Sequence, residues 1–178
     1  MIIAFFPCTR FEDQILLYFR GDTCTIQKHP IDKKLEYSMR LHTELHRNYM
    51  DISKLCLIAI KRNLKLIIEN PYAEQHYLKR YWCVKPSIID HDRRDNGDYF
   101  RKPTQYFFVG FEPKYNFLME PIPNNTVDIK MPIRSARKDM WDAVGAADRQ
   151  TARSMMHPDY ANRFIRQYIL DAGKLEGD

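Results

Sequence analysis

Two short runs of β-branched and aromatic residues, held apart by one long amphipathic stretch, constrain this chain more than any other feature. Residues 2–6 read Ile-Ile-Ala-Phe-Phe and residues 64–68 read Leu-Lys-Leu-Ile-Ile. The first is the pattern of a strand buried on both faces, and the second is also a buried-strand candidate. Pro30 opens a helical pattern over roughly residues 31–62. Within it Leu41, Leu45, Ile52, Leu55 and Ala59 recur at steps of 4, 7, 3 and 4, marking one helix face. Asn63 supplies its C-terminal stop. Strand, helix, strand is a βαβ unit, so the two strands should run parallel with a right-handed crossover. The first strand stops at Pro7-Cys8-Thr9 and the second at Glu69-Asn70-Pro71. Cys8 and Glu69, 69 − 8 = 61 residues apart, are therefore expected on one rim, just past the carboxyl ends of neighbouring strands. That is where open parallel sheets bind ligands.

The chain of 178 residues is read as a single α/β domain over 1–178, with a core of about 1–120 and a C-terminal segment and helix over 121–178. A short helical piece is expected over about 72–80, a charged, turn-rich stretch over 81–103, and a third strand over 104–109. Pro158 starts a C-terminal helix reaching about Leu170, striped by Tyr160, Phe164, Tyr168 and Ile169. With 44% hydrophobic residues, full disorder is excluded. No apolar run approaches the roughly 18 residues of a membrane span, and the N-terminus lacks the charged region of a signal peptide. The expectation is a cytoplasmic protein with no membrane partner. Lys plus Arg minus Asp plus Glu is 28 − 23 = +5, which permits a nucleic-acid partner. Cys8, Cys24, Cys56 and Cys83 include no C-x-x-C pair and read as reduced thiols. His42 and His46 have metal-ligand spacing but polar neighbours, and read as a solvated helix face.

Two constellations can carry chemistry. A thiol at a strand end, with Arg10 close by in sequence, can be activated as a nucleophile, or it can be a buried structural cysteine. A carboxylate at the end of an apolar strand must find a hydrogen-bond donor, or keep a raised pKa and act as an acid or base. The βαβ geometry makes each strengthen the other.

Pro7-Cys8-Thr9 after one strand and Ile68-Glu69-Asn70-Pro71 after the next resemble the DNA (cytosine-5) methyltransferases, especially their short phage and prophage forms. Lys102-Pro103-Thr104 before Tyr106-Phe107-Phe108 resembles a further element. So does Arg153-Ser154-Met155-Met156-His157-Pro158 near the C-terminus. The resemblance runs in order from residue 2 to about 170. It implies a partial Rossmann-like fold with a mostly parallel sheet flanked by helices. It implies Cys8 as nucleophile toward carbon 6 of a flipped cytosine, assisted by Glu69. Pro7, Thr9, Asn70, Pro71, Arg101, Lys102 and Thr104 would bind substrate, with Asn70 bracing the cysteine loop. Arg93, Arg94, Arg134, Arg137 and Lys138 are candidates for DNA phosphates. The implied methyl donor is S-adenosylmethionine. The family's glycine-rich turn and the strands preceding Pro-Cys are missing, and no G-x-G occurs. The strand of residues 2–6 would then be an apolar sheet edge needing cover. A second copy, a separate N-terminal half, or a segment of this chain would supply it. The alternatives are a catalytically inactive DNA- or nucleotide-binding module and an enzyme on free pyrimidine nucleotides.

Overall fold

The computed structural model describes residues 1–6, 10–11, 20–21, 25–127, 144–146 and 149–171. They form an α/β structure with strands β1 (Ile2–Phe5), β2 (Leu66–Pro71), β3 (Ile88–Asp90) and β4 (Thr104–Val109). The helices are α1 (Ile31–Lys61), α2 (Tyr77–Tyr81), α3 (Arg149–Ser154) and α4 (Pro158–Tyr168), with 3-10 turns at Thr25–Lys28 and Arg93–Asn96. Among the described residues no helix is long and apolar enough to cross a membrane. The chain separates into two compact units that interleave in sequence. One is Met1–Ile89 with Thr104–Glu112, the other Asp90–Pro103 with Pro113–Asp178.

The first unit holds the sheet, in the order β1-β2-β4-β3. β1 and β2 are parallel, in a register running from Ile2 opposite Leu66 to Phe5 opposite Glu69. This is the expected pairing of the two runs. The expectation of a mostly parallel sheet is not met, because β2 and β4 are antiparallel, from Leu66 opposite Val109 to Pro71 opposite Thr104. The sheet is mixed. All six residues of β4 are buried, and burial of a strand's two faces is the same whichever way it runs. Its apolar sequence therefore carried no orientation.

α1 covers one face of this sheet. Its Ile52, Cys56 and Ala59 pack with Leu66, Ile68, Phe107, Val109, Leu78, Trp82 and Phe11, and the stripe residues Leu45 and Leu55 lie at the margin. Asn63 ends the helix in the left-handed conformation, φ 51°. The amide of Asn63 donates to the carbonyl of Ile60 at 3.1 Å, and that of Leu64 to Ala59 at 2.8 Å. This pair of bonds closes a helix end in the Schellman manner. It uses up residues 64 and 65, so β2 starts at Leu66 and runs through Pro71. Glu69 therefore lies inside the strand rather than past its end. Gly110, at φ +82°, turns the chain directly after β4, and a Cβ there would sit 2.9 Å from the Leu64 carbonyl oxygen. Gly110→Ala is expected to cost about 2 kcal/mol, read as a lowered urea midpoint at unchanged slope.

β1 departs from its expected burial. It is the edge strand, and Ile2, Ile3 and Phe5 are 42, 40 and 67% exposed. An apolar run records which side chains favour burial; it does not record whether a neighbour is present on each side.

The second unit is organised around a buried ion pair. Arg93 and Asp98, each about 1% exposed, are joined through a guanidinium nitrogen and Oδ2 of Asp98. Oδ1 of Asp98 accepts the backbone N–H groups of Tyr99 at 2.8 Å and His157 at 2.7 Å. The Arg93 guanidinium lies 4.5 Å from the centre of the Tyr160 ring. The Tyr160 hydroxyl donates to Asp90 at 3.0 Å. α4 starts at Pro158, as its sequence indicates, and His157 Nδ1 caps it by accepting the Asp159 N–H at 3.0 Å. Asn125 Nδ2 ties this cap to the Gly97 carbonyl at 3.0 Å and to Asp159 at 2.9 Å.

Candidate functional site

The end of β2 gathers most of the buried polar side chains of the first unit. Glu69 is 4% exposed, and Asn70, His76, Thr104 and Gln105 are fully buried. Pairing fixes their relative placement. Glu69 stands between Phe5 on β1 and Tyr106 on β4, Asn70 opposite Gln105, and Pro71 opposite Thr104. Successive strand residues point to opposite faces. Asn70 and Gln105 share the α1 face with Ile68 and Phe107, while Glu69 and Tyr106 occupy the other.

Asn70 Nδ2 donates to the carbonyl of Phe6 at 3.0 Å. This bond fixes the residue immediately before Pro7. On the other side of the Pro7-Cys8-Thr9 segment, Arg10 Nε donates to Glu44 of α1 at 2.5 Å. Phe11 is fully buried, and its carbonyl accepts the Tyr77 N–H at 2.8 Å. Pro7, Cys8 and Thr9 themselves lie outside the described residues. Both of their flanks are fixed, and three peptide links, about 11 Å when fully extended, separate Phe5 from Cys8. Arg10, expected to favour a thiolate at Cys8, spends part of its charge on Glu44.

Behind Asn70 runs a second layer of bonds. Gln105 Nε2 donates to the Pro71 carbonyl at 2.7 Å and lies 3.2 Å from His76 Nδ1. The same Nδ1 faces the Leu78 N–H at 3.3 Å, capping α2. Two donors converge on Nδ1, which assigns the imidazole proton to Nε2. Burial pushes the His76 pKa down to about 4. The ring is therefore neutral near pH 7, and its acceptor role is preserved. Neither His76 nor Gln105 figured among the expected site residues. Gln105 carried a usable signal, being the polar residue that interrupts the apolar strand 104–109, which is the argument applied to Glu69. His76 has no periodicity or motif that marks it.

Arg93, Arg94, Arg101 and Lys102 belong to the second unit. Arg93 was expected to face DNA phosphates. Its guanidinium is instead enclosed against Asp98 and Tyr160, since a buried carboxylate demands a buried cation. Arg94 is forked onto Asp92, with Nε at 2.9 Å from Oδ1 and Nη2 at 2.5 Å from Oδ2. This holds the Asp92 carboxyl below its ordinary pKa. The Arg101 side chain is 69% exposed and stands 3.8 Å from Asp92. Arg134, Arg137 and Lys138 lie outside the described residues. His42 and His46 are both exposed on α1. Among the described residues no group of three or more metal-ligating side chains converges.

The chain matches no known family model, no curated protein and no solved structure.

Proposed function

We propose that this chain is the base-activating part of a DNA cytosine-5 methyltransferase. The observation that carries the reading is the parallel register that sets Glu69 beside Phe5, with Asn70 bonded to Phe6, at the entrance to Pro7-Cys8-Thr9. In this reading the Cys8 thiolate adds to carbon 6 of a cytosine turned out of the duplex. Glu69 holds the ring nitrogen and exocyclic amine, and the addition makes carbon 5 nucleophilic. Asn70 braces the nucleophile's loop. Arg94, Arg101 and Lys102, with Arg134, Arg137 and Lys138, supply phosphate contacts whose affinity falls with salt. Pro7, Thr9, Pro71 and Thr104 shape the pocket.

The described residues do not fit S-adenosylmethionine. Gly21, Gly97, Gly110 and Gly145 all have positive φ and serve turns. None follows β1 or β2 into a helix to form a cradle. No step through the donor is therefore derived from this chain, and the proposed donor site belongs to a partner pairing with the β1 edge.

Exchange at carbon 5 tests the reading without a donor. Addition of Cys8 to carbon 6, protonation of carbon 5 from water and elimination return cytosine and release the original carbon 5 hydrogen. Duplex DNA carrying cytosine tritiated at carbon 5 is expected to lose tritium to water in the presence of the chain. Cys8→Ser should abolish this release, and Glu69→Gln should slow it about 100-fold or more. Exchange on free nucleotides but not on DNA favours a nucleotide enzyme. DNA binding with no exchange favours an inactive binding module. Either result overturns the proposal.

A further inference from the structure

We propose that the exposed flank of α1 binds a second copy of this chain, as an antiparallel helix pair whose two-fold axis passes at His46. α1 has 31 residues, about 46 Å of helix. Only Leu41, Ile52, Cys56 and Ala59 of it are buried. About a third of a turn round the helix lies a second row, formed by Leu35, Met39, His42, His46, Ser53, Leu57 and Ile60, of which Ser53 is half-buried with its hydroxyl oxygen enclosed. Within it Leu35, Met39, Leu57 and Ile60 are 58, 70, 55 and 58% exposed. The steps of 3, 4 and 7 between these positions are those of a helix–helix seam.

Two features of the row select the occupant. The first is its symmetry about residue 46. Leu35 and Leu57, both exposed, lie 11 positions to either side. An antiparallel copy therefore sets Leu35 against Leu57 of the second copy, and His46 against itself. The second is charge. Beside the row, the exposed Asp32 and Glu36 stand in the first half of α1 and the exposed Lys54 and Lys61 in the second. The antiparallel arrangement brings Glu36 near Lys54 of the second copy and Asp32 near Lys61. A parallel pair sets like charge against like. The contact of Glu36 with Lys33 in its own chain, at 2.8 Å, joins two exposed groups and is weak competition.

This inference is independent of the cytosine chemistry. Sedimentation of the full chain should show a dimer, and Leu57→Glu should weaken it roughly 100-fold or more. Glu36→Lys should weaken it less, and adding Lys54→Glu to that variant should restore it. Under oxidation His46→Cys should give a covalent dimer above the level of the native chain, while Leu35→Cys should not. A monomer at every concentration overturns the proposal and leaves this flank to another segment or none. So does a dimer indifferent to Leu57→Glu, which places the contact elsewhere, for example at the β1 edge. Cross-linking through Leu35→Cys instead of His46→Cys overturns the antiparallel arrangement.

Discussion

Asp98→Ala is expected to lower stability by about 3–5 kcal/mol, the usual consequence of removing one partner from a buried ion pair. The Arg93 guanidinium, about 1% exposed, would keep its contact with the Tyr160 ring and lose its carboxylate. The N–H groups of Tyr99 and His157 would lose their acceptor in the same step. Asp98→Asn separates these contributions. Its amide oxygen can still accept both N–H bonds while the negative charge is gone, so its loss should fall between the native chain and Asp98→Ala. Urea unfolding followed by circular dichroism reads the order. Equal losses for the two variants would show that the two backbone bonds contribute nothing beyond the charge.

Acid should destabilise the first unit through His76. Its folded pKa of about 4 lies below the ordinary imidazole value of 6.5. Between those values the unfolded chain binds a proton that the folded chain refuses, so stability falls as pH drops from about 6.5 towards 4. The loss is about 3 kcal/mol over the whole window, from roughly 1.4 kcal/mol per pKa unit. Protonation would also set a positive ring against the Gln105 amide and the Leu78 N–H, the two donors that face Nδ1. Carboxylates titrate in the same range, so the measurement is a difference. The pH dependence of His76→Gln, subtracted from that of the native chain, should isolate this slope. Parallel curves for the two proteins would rule the histidine out.

The parts of this structure that were legible in the sequence are those where local pattern and tertiary need coincide. Leu41, Ile52 and Ala59 mark the buried face of α1, and Pro158 marks the start of α4, because periodicity and capping are local properties. The pairing of β1 with β2 followed from one rule about how strands joined by a helix must run. Strand direction in β4 and the exposure of β1 depend on which neighbours a strand acquires, and no residue within the strand encodes that. The extent of β2 was missed because two residues were taken by the helix closure at Asn63. Arg93 was misplaced since a guanidinium looks the same in sequence whether it meets a phosphate or, five positions on, an enclosed Asp98.

The central strand β4 is separated from its sheet neighbours β2 and β3 by residues of the other unit. A nascent polypeptide that has left the ribosome only as far as Ile89 carries β1, β2 and most of β3 but not the β4 that joins β2 to β3. β2 and β3 then have nothing between them until Val109 emerges, some 20 residues later (109 − 89). During that interval translation exposes open backbone on three strands at once, a window in which a chaperone, or another nascent copy, can reach them first.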